Sequence, residues 1–397
     1  MKYKSIILII LSFTFNHPQM AKISERFLSL DVFRGMTICF MIIVNTPGSG
    51  AAPFAPLEHA GWHGFTPTDL VFPSFLFAVG NAMSFSMEKY KQMGNAKLLG
   101  KVFRRTILIF LLGYLMYWFP FFRFDAAGHI TAAPIHNTRI MGVLQRIALC
   151  YFFASLLIHY FSARITYIIS GALLVGYWIL LLIFGDAQQP FSLLGNSGLY
   201  LDKWLFGESH LYHGEGIAFD PEGLLSTLPA IVNVTIGYYT GRYIQKNGKG
   251  YETISKLLLT GCLFIFIAIC WNMLFPINKK LWTSSFVMLT TGIDITLISV
   301  LLYSLEIKRW NKFNWTSFFI VFGKNPLFIY LLSELLITSV SYIKTSPGQN
   351  LYGWVNKVFF QAIAPGAIGS FLFAIFYMLI CWVIGLWLDK KQIYVRV

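Results

Sequence analysis

Residues 165–184 read ITYIISGALLVGYWILLLIF, twenty residues without one Asp, Glu, Lys or Arg. As a helix rising roughly 1.5 Å per residue, such a run is about 30 Å long, the thickness of a bilayer's hydrocarbon core. Lipid offers the backbone no hydrogen bonds, so a helix, which bonds to itself, is the expected form. Similar runs recur on both sides. Towards the N-terminus they cover about 28–46, 70–86, 103–121 and 140–160; towards the C-terminus, 224–244, 257–275, 283–304, 315–340 and 367–388. The fold class expected is therefore all-α: a polytopic membrane protein of about ten transmembrane helices.

Composition agrees. Of 397 residues, 56% are hydrophobic and only 12% charged, about half the charged share of an average soluble domain. The net charge of +14 does not point to nucleic acid, because the basic residues lie in short loops between apolar runs. Their distribution gives an orientation instead. With both termini cytoplasmic, 22 of the 31 Lys and Arg residues fall inside, seven fall outside, and Arg146 and Lys324 lie within spans. The largest outside loop, 185–223, is rich in Gly, aromatic and acidic residues, which suit sugar contacts and membrane interfaces alike.

One membrane domain, 26–397, follows an N-terminal lead, 1–25. The lead begins MKYKSIILIILSFTF, too short an apolar stretch to span and without a small-residue cleavage site. Met20 is an alternative start, since MAKISERFLSLDVFRG reads as a cytoplasmic lead-in; a signal peptide is the competing reading. Five cysteines sit in apolar segments without paired spacing, so neither a disulfide framework nor a zinc cluster is expected. No Walker A or G-x-G-x-x-G pattern occurs, which argues against nucleotide hydrolysis and a Rossmann domain.

Polar groups within spans are costly and mark function by default. Asp31 and Arg34 open the first span three residues apart and can pair on one helix face. Asn45 closes that span on the outer side. The Gly/Pro-rich loop TPGSGAAPFAPLEHAGWHGFTPTD follows, carrying His59 and His63 and ending at Asp69. Histidine suits proton transfer near neutral pH, and neutral imidazole is a nucleophile; a merely solvated loop histidine, or a metal ligand at His59 and His63, are the alternatives. His210 and His213, beside Glu208 and Glu215, are a second weak metal candidate. The fourth span carries Gln145 and Arg146. A buried guanidinium needs a partner, and Asp69, at the same outer level, is the expected one. By depth along the eighth and ninth spans, Asp294 and Lys324 are expected to pair near the midplane, a pair that either holds register or serves function.

The segments LDVFRGMTICFMIIVNTPGSG, LEHAGWHGFTPTDLVFPSFLFAVG and TRIMGVLQRIALCYF together resemble the heparan-α-glucosaminide N-acetyltransferase family. The likeness is strong over about 26–160 and continues more weakly through DPEGLLSTLPAIVNVTIGYYTGR and FGKNPLFIYLLSE. The resemblance implies a polytopic acyltransferase moving acetyl from cytoplasmic acetyl-CoA to the amino group of a glucosamine-type sugar on the far side. His59 matches the family's active-site histidine and Asn45 its active-site asparagine; Asp69, Gln145 and Arg146 match further motif positions. His63 stands where the animal motif has Asn. Animal members carry an additional luminal domain, and this chain reads as a bacterial-type relative without it, sited in an inner membrane.

What the resemblance implies about roles follows from acyl-transfer chemistry. His59 acts as base or forms an acetyl-histidine, Asn45 donates to the oxyanion or to the acetyl carbonyl, and Asp69 completes the catalytic set. The CoA phosphates call for inner basic residues, with Arg34, Arg104 and Arg105 as candidates. Gln145 and Arg146 are grouped with the donor site, and Lys324 with Asn325 lines the route of the pantetheine arm. Expected partners are acetyl-CoA, an amino-sugar or glycan acceptor and the bilayer, with a homodimer as the candidate assembly, no nucleic acid and no metal. The rival readings are a transporter of a sugar or other small polar solute, and an acyltransferase for another cell-envelope glycan.

Overall fold

The computed structural model describes residues 27–48, 53–125, 129–346 and 349–395. The lead 1–25, with the choice between Met1 and Met20, lies outside the described residues. The chain is predominantly helical. Among the described residues, seven helices are long and apolar enough to cross a membrane unaided: α1 (Leu28–Asn45), α2 (Pro67–Lys91), α4 (Val143–Tyr160), α5 (Ala163–Phe184), α8 (Tyr251–Asn272), α9 (Ser284–Leu301, extended to Ile307 by a π-helical turn) and α12 (Ala367–Lys390). Two further long helices, α3 (Asn95–Trp118) and α7 (Thr227–Asn247), coincide with the expected third and sixth spans. They carry more polar residues: α3 has Lys97, Lys101, Arg104 and Arg105, and α7 has Asn233, Thr235 and Thr240 on buried faces. A short helix, α6 (Ser197–Phe206), lies in the largest loop. Two small hairpins, Phe122–Phe124 with Ile130–Ala132 and Lys344–Ser346 with Gln349–Asn350, qualify the expectation of an all-α chain.

The expected ninth span is not one straight helix. α10 (Thr316–Lys324) and α11 (Pro326–Tyr342) meet at 76°, or count as one broken crossing. The break is local chemistry: Pro326 disfavours helical backbone at the residue before it, and Asn325 adopts φ −130°, ψ 53°. This corrects the expected Asp294–Lys324 pair. Depth counted along a straight helix put Lys324 near the midplane; the bend leaves it beside the end of α12, where its Nζ is 2.7 Å from Asp389 Oδ1. Asp294 instead accepts a 2.5 Å hydrogen bond from Ser74 Oγ on α2.

Helix burial sorts the bundle into a centre and a periphery. α2, α7 and α9 are buried on most sides, whereas α5, α8 and α12 expose Ile183, Phe184, Leu259, Phe266, Val383 and Trp387 outward. Between apolar helices in lipid, close backbone approach replaces the hydrophobic effect as the packing force. Gly80 of α2 lies against the Val234 carbonyl of α7, and Gly237 of α7 against the Phe77 carbonyl of α2. A Cβ at either position would meet backbone, so glycine sets the distance between these two central helices. Leu28 and Asp389 line a common cavity, so α1 begins and α12 ends on the same face.

Candidate active site

The site is built around the start of α2. Thr66-Pro67-Thr68-Asp69 forms a capping box there, with Thr66 N donating to Asp69 Oδ2 at 3.0 Å. The same oxygen accepts from Ala60 N and Thr66 Oγ1, each at 3.1 Å. Oδ1 is left to accept from His59 Nδ1 at 2.7 Å. The Asp69 side chain is 1% exposed and that of His59 46%. Donors from His59, Ala60 N and Thr66 N converging on Asp69 fit an ionised carboxylate, which only accepts; Nδ1 therefore carries the imidazole proton and Nε2 presents a lone pair. A carboxylate that fixes the tautomer and leaves the lone pair on the far nitrogen is the arrangement of an activated histidine.

A third group completes it. Lys279 Nζ lies 3.3 Å from His59 Nε2, 3.1 Å from Nδ1 and 3.7 Å from Asp69 Oδ1. Lys279 belongs to the turn FPINKKLW, residues 275–282, between α8 and α9. That turn is braced internally: Asn278 Oδ1 accepts from Leu281 N at 2.8 Å, and Asn278 N donates to Thr283 Oγ1 at 3.0 Å. It is also pinned to the His59 loop, where Gly64 N donates to Ile277 O at 2.8 Å and His63 Nδ1 lies 3.3 Å from Asn278 Nδ2. Burial pushes the His63 imidazole below its ordinary value. It also lowers the Lys279 ammonium, with Asp69 and Glu222 holding part of that shift back. His59 and His63 thus turn to different partners, and no group of three or more metal-ligating side chains occurs among the described residues.

Beside this lies an ionic cluster. Arg139 donates to both Asp220 oxygens, at 2.8 and 2.6 Å, and to Glu222 Oε2 at 2.5 Å. Its guanidinium sits 4.9 Å from the Tyr117 ring centre and 4.8 Å from that of Tyr212. Burial raises Glu222, but Arg139, Arg146 and Lys279 outweigh it and hold the carboxyl low. Asp220 is raised, because burial there exceeds what Arg139 offsets.

The expected Asp69–Arg146 pair does not form. Asp69 is engaged as described, and Arg146 Nη2 donates to Gly223 O at 3.1 Å and to Ser226 Oγ, with its guanidinium 4.8 Å from the Trp282 ring centre. Equal depth was a poor guide because the capping box turns Asp69 back towards its own loop. Gln145 is fully buried, and its amide nitrogen and oxygen, with Nε and Nη1 of Arg146, have no hydrogen-bond partner among the described residues. Asn45 donates to Glu334 Oε1 on α11 at 3.4 Å; no hydrogen bond joins it to His59 among the described residues.

At the opposite end, Arg34 pairs with Asp31 at 3.0 Å as expected, and both line a cavity of about 210 Å³ with Asn81. A larger cavity of about 860 Å³ adjoins the helix break, lined by Trp315, Trp382, Lys324 and Asp389 among others. Asn325 clasps the C-terminal segment, donating to Ile393 O and accepting from Val395 N, each at 2.9 Å. Arg104 and Arg105 line neither cavity; Arg104 is exposed and Arg105 packs 4.8 Å over Tyr151. His210 and Glu208 are also occupied elsewhere, by Thr138 O at 2.7 Å and Lys203 at 2.7 Å.

Sequence reading missed Lys279, Asn278, Glu222 and Glu334. In sequence Lys279 is one of the seven basic residues on the outer side; the Pro-Ile-Asn-Lys turn is a usable signal of a rigid, polar loop, but nothing in it names the partner.

Fold and site together define an integral membrane protein with a carboxylate-oriented histidine at one end of a helical bundle. Residues 26–214 match the family described as "Heparan-alpha-glucosaminide N-acetyltransferase, catalytic". The mouse heparan-alpha-glucosaminide N-acetyltransferase is 26% identical over an alignment covering 79% of this chain and 54% of that protein. The human protein of the same name is 25% identical, covering 80% and 54%. Over residues 26–214 the chain is similar to the catalytic region of that family, and over most of its length to these two enzymes. It spans about half the length of the curated relatives it matches.

Proposed function

We propose that this protein is a transmembrane acetyltransferase, moving acetyl from acetyl-CoA to the amino group of a glucosamine-type sugar or related envelope glycan. The observation that carries this reading is the 2.7 Å Asp69–His59 bond, which leaves His59 Nε2 ready to accept. An attacking amine must lose a proton and the thioester must be opened, and both needs are met at Nε2, as base or as transient acyl carrier. Asn45, Gln145 and Arg146 are proposed to orient the acetyl group and the acceptor; the partnerless buried atoms of Gln145 and Arg146 support that role, since unmet buried polar groups are costly.

For the donor we propose the opposite end. The 860 Å³ cavity is of ligand size, Trp315 and Trp382 offer an apolar wall, and Lys324 with nearby Arg34 supplies positive charge for the CoA phosphates. The excess of basic residues at that end supports a cytoplasmic donor side, with α3, α7 and the broken α10–α11 pair completing ten crossings and both termini inside. A bacterial inner membrane and a homodimer complete the proposal. Asp389 2.7 Å from Lys324 is the feature least favourable to phosphate there.

One observation favours a second reading. Discontinuous helices such as α10–α11 also mark substrate sites in transporters. Purified protein with acetyl-labelled acetyl-CoA and a panel of amino sugars separates the two. Label on a sugar, lost in His59→Ala and largely kept in His63→Ala, supports the enzyme; uptake of unmodified sugar into vesicles without label transfer would reject it.

A further inference from the structure

Lys279 sits where a carbonyl oxygen would meet it. Because Nδ1 donates its proton to Asp69, the ring nitrogen with an available lone pair is Nε2, and the ammonium lies 3.3 Å from it. Attack by or beside Nε2 on an acyl carbonyl forms a new bond at carbon and moves the C=O π pair onto oxygen. That oxygen comes to rest within a bond or two of Nε2, inside the shell that the Lys279 ammonium already occupies. The side chain is not a swinging surface lysine: it is 19% exposed, it rises from a turn with two internal bonds, and that turn is fastened to the His59 loop at Gly64 and His63.

We propose that Lys279 is a catalytic residue, an ammonium donor that stabilises the oxyanion formed when an acyl carbonyl is attacked at His59. This rests on the reading that His59 handles an acyl group, and it adds the group that takes up the developing negative charge. No proton need transfer: Lys279 donates a hydrogen bond to the oxyanion, the C–S bond of the thioester then breaks, and the electron pair leaves with the thiolate. The burial that lowers the Lys279 ammonium also strengthens its field, since few waters screen it. Asp69 and Glu222 favour the charged form of Lys279 against that burial.

The test uses diethyl pyrocarbonate as the acyl probe, so it needs neither natural substrate. Nε2 attacks its carbonyl, the anhydride C–O bond breaks and ethyl carbonate leaves. The rate of His59 modification in the detergent-purified full chain is read by peptide mass spectrometry. His129, whose side chain is 79% exposed, is the internal reference. Lys279→Met should slow His59 at least about tenfold relative to His129, since loss of one oxyanion donor costs roughly 10²–10³-fold in rate. Lys279→Arg should recover most of the rate, and Lys280→Met, at the lysine paired with Glu215, should change nothing. An unchanged or faster rate in Lys279→Met overturns the proposal and makes Lys279 a plug over Nε2. Should the Met variant fold poorly, the wild-type protein decides: raising the pH until Lys279 loses its proton must slow His59 while His129 stays level, and a flat His59 rate rejects the assignment. If His59 reacts as expected yet no acetyl moves from acetyl-CoA to any sugar, the donor reading fails and the Lys279 assignment stands.

Discussion

The two ends of the bundle are made differently. At the His59 end several charged groups are paired: Asp69 with His59 and Lys279, Arg139 with Asp220 and Glu222, Lys280 with Glu215. The loops there are long in sequence but braced by backbone bonds. At the Lys324 end an 860 Å³ cavity adjoins the kink, the Lys324–Asp389 pair lines it, and Asn325 clasps the C-terminal segment. A preorganised end suits bond making, where angstrom-scale placement sets the rate. An open end suits entry of a large ligand, where tight packing would only obstruct. The bundle separates these demands along its axis.

That contrast is sharpest where it can be broken. Asp69→Asn removes the charge that fixes the His59 tautomer and leaves Lys279 without its carboxylate. Acetyl transfer should fall roughly 10²–10⁴-fold through kcat, with acetyl-CoA KM little moved. The melting temperature should also drop, because α2 loses an ionised cap. A rise in KM with kcat preserved would mean that the ends do not divide the work as described.

The converse substitution lies at the other end. Lys324→Ala should raise the KM for acetyl-CoA about tenfold through loss of a phosphate contact worth roughly 1.4 kcal/mol, while kcat stays within about twofold. Equal KM values for wild type and variant in steady-state assays would move the donor site elsewhere. The effect with no expected change in activity concerns Asp202 on α6. Burial pushes its carboxyl up to about 7, against a partial pull downward from the Leu224 N–H. The folded protein thus holds this proton more tightly than the unfolded chain, so stability falls as pH rises from about 4 to about 7 and is flat above, at most about 1.4 kcal/mol per pH unit. Asp202→Asn should flatten the melting temperature over that window; an unaltered slope assigns the dependence to another group.

The sequence by itself determined the helical spans that face lipid, because twenty apolar residues in a row have one stable answer in a bilayer. It also determined the neighbourhood of His59 and Asp69, which lie ten residues apart around one helix start, and the Asp31–Arg34 pair on one helix face. Local geometry is written in local sequence. Pairings across the bundle are not: Asp69 with Lys279, Lys324 with Asp389 and Asp294 with Ser74 join residues 210, 65 and 220 positions apart. Depth along a straight helix was the only guide to them, and it failed twice for stated reasons, the Asn325-Pro326 break and the capping box at Thr66. Which of several equally deep polar groups meet depends on helix rotation, and rotation is set by where Gly80 and Gly237 let α2 and α7 close on each other. That contact exists only once the bundle has assembled, so the partner of His59 at Nε2 was the tertiary structure's to decide.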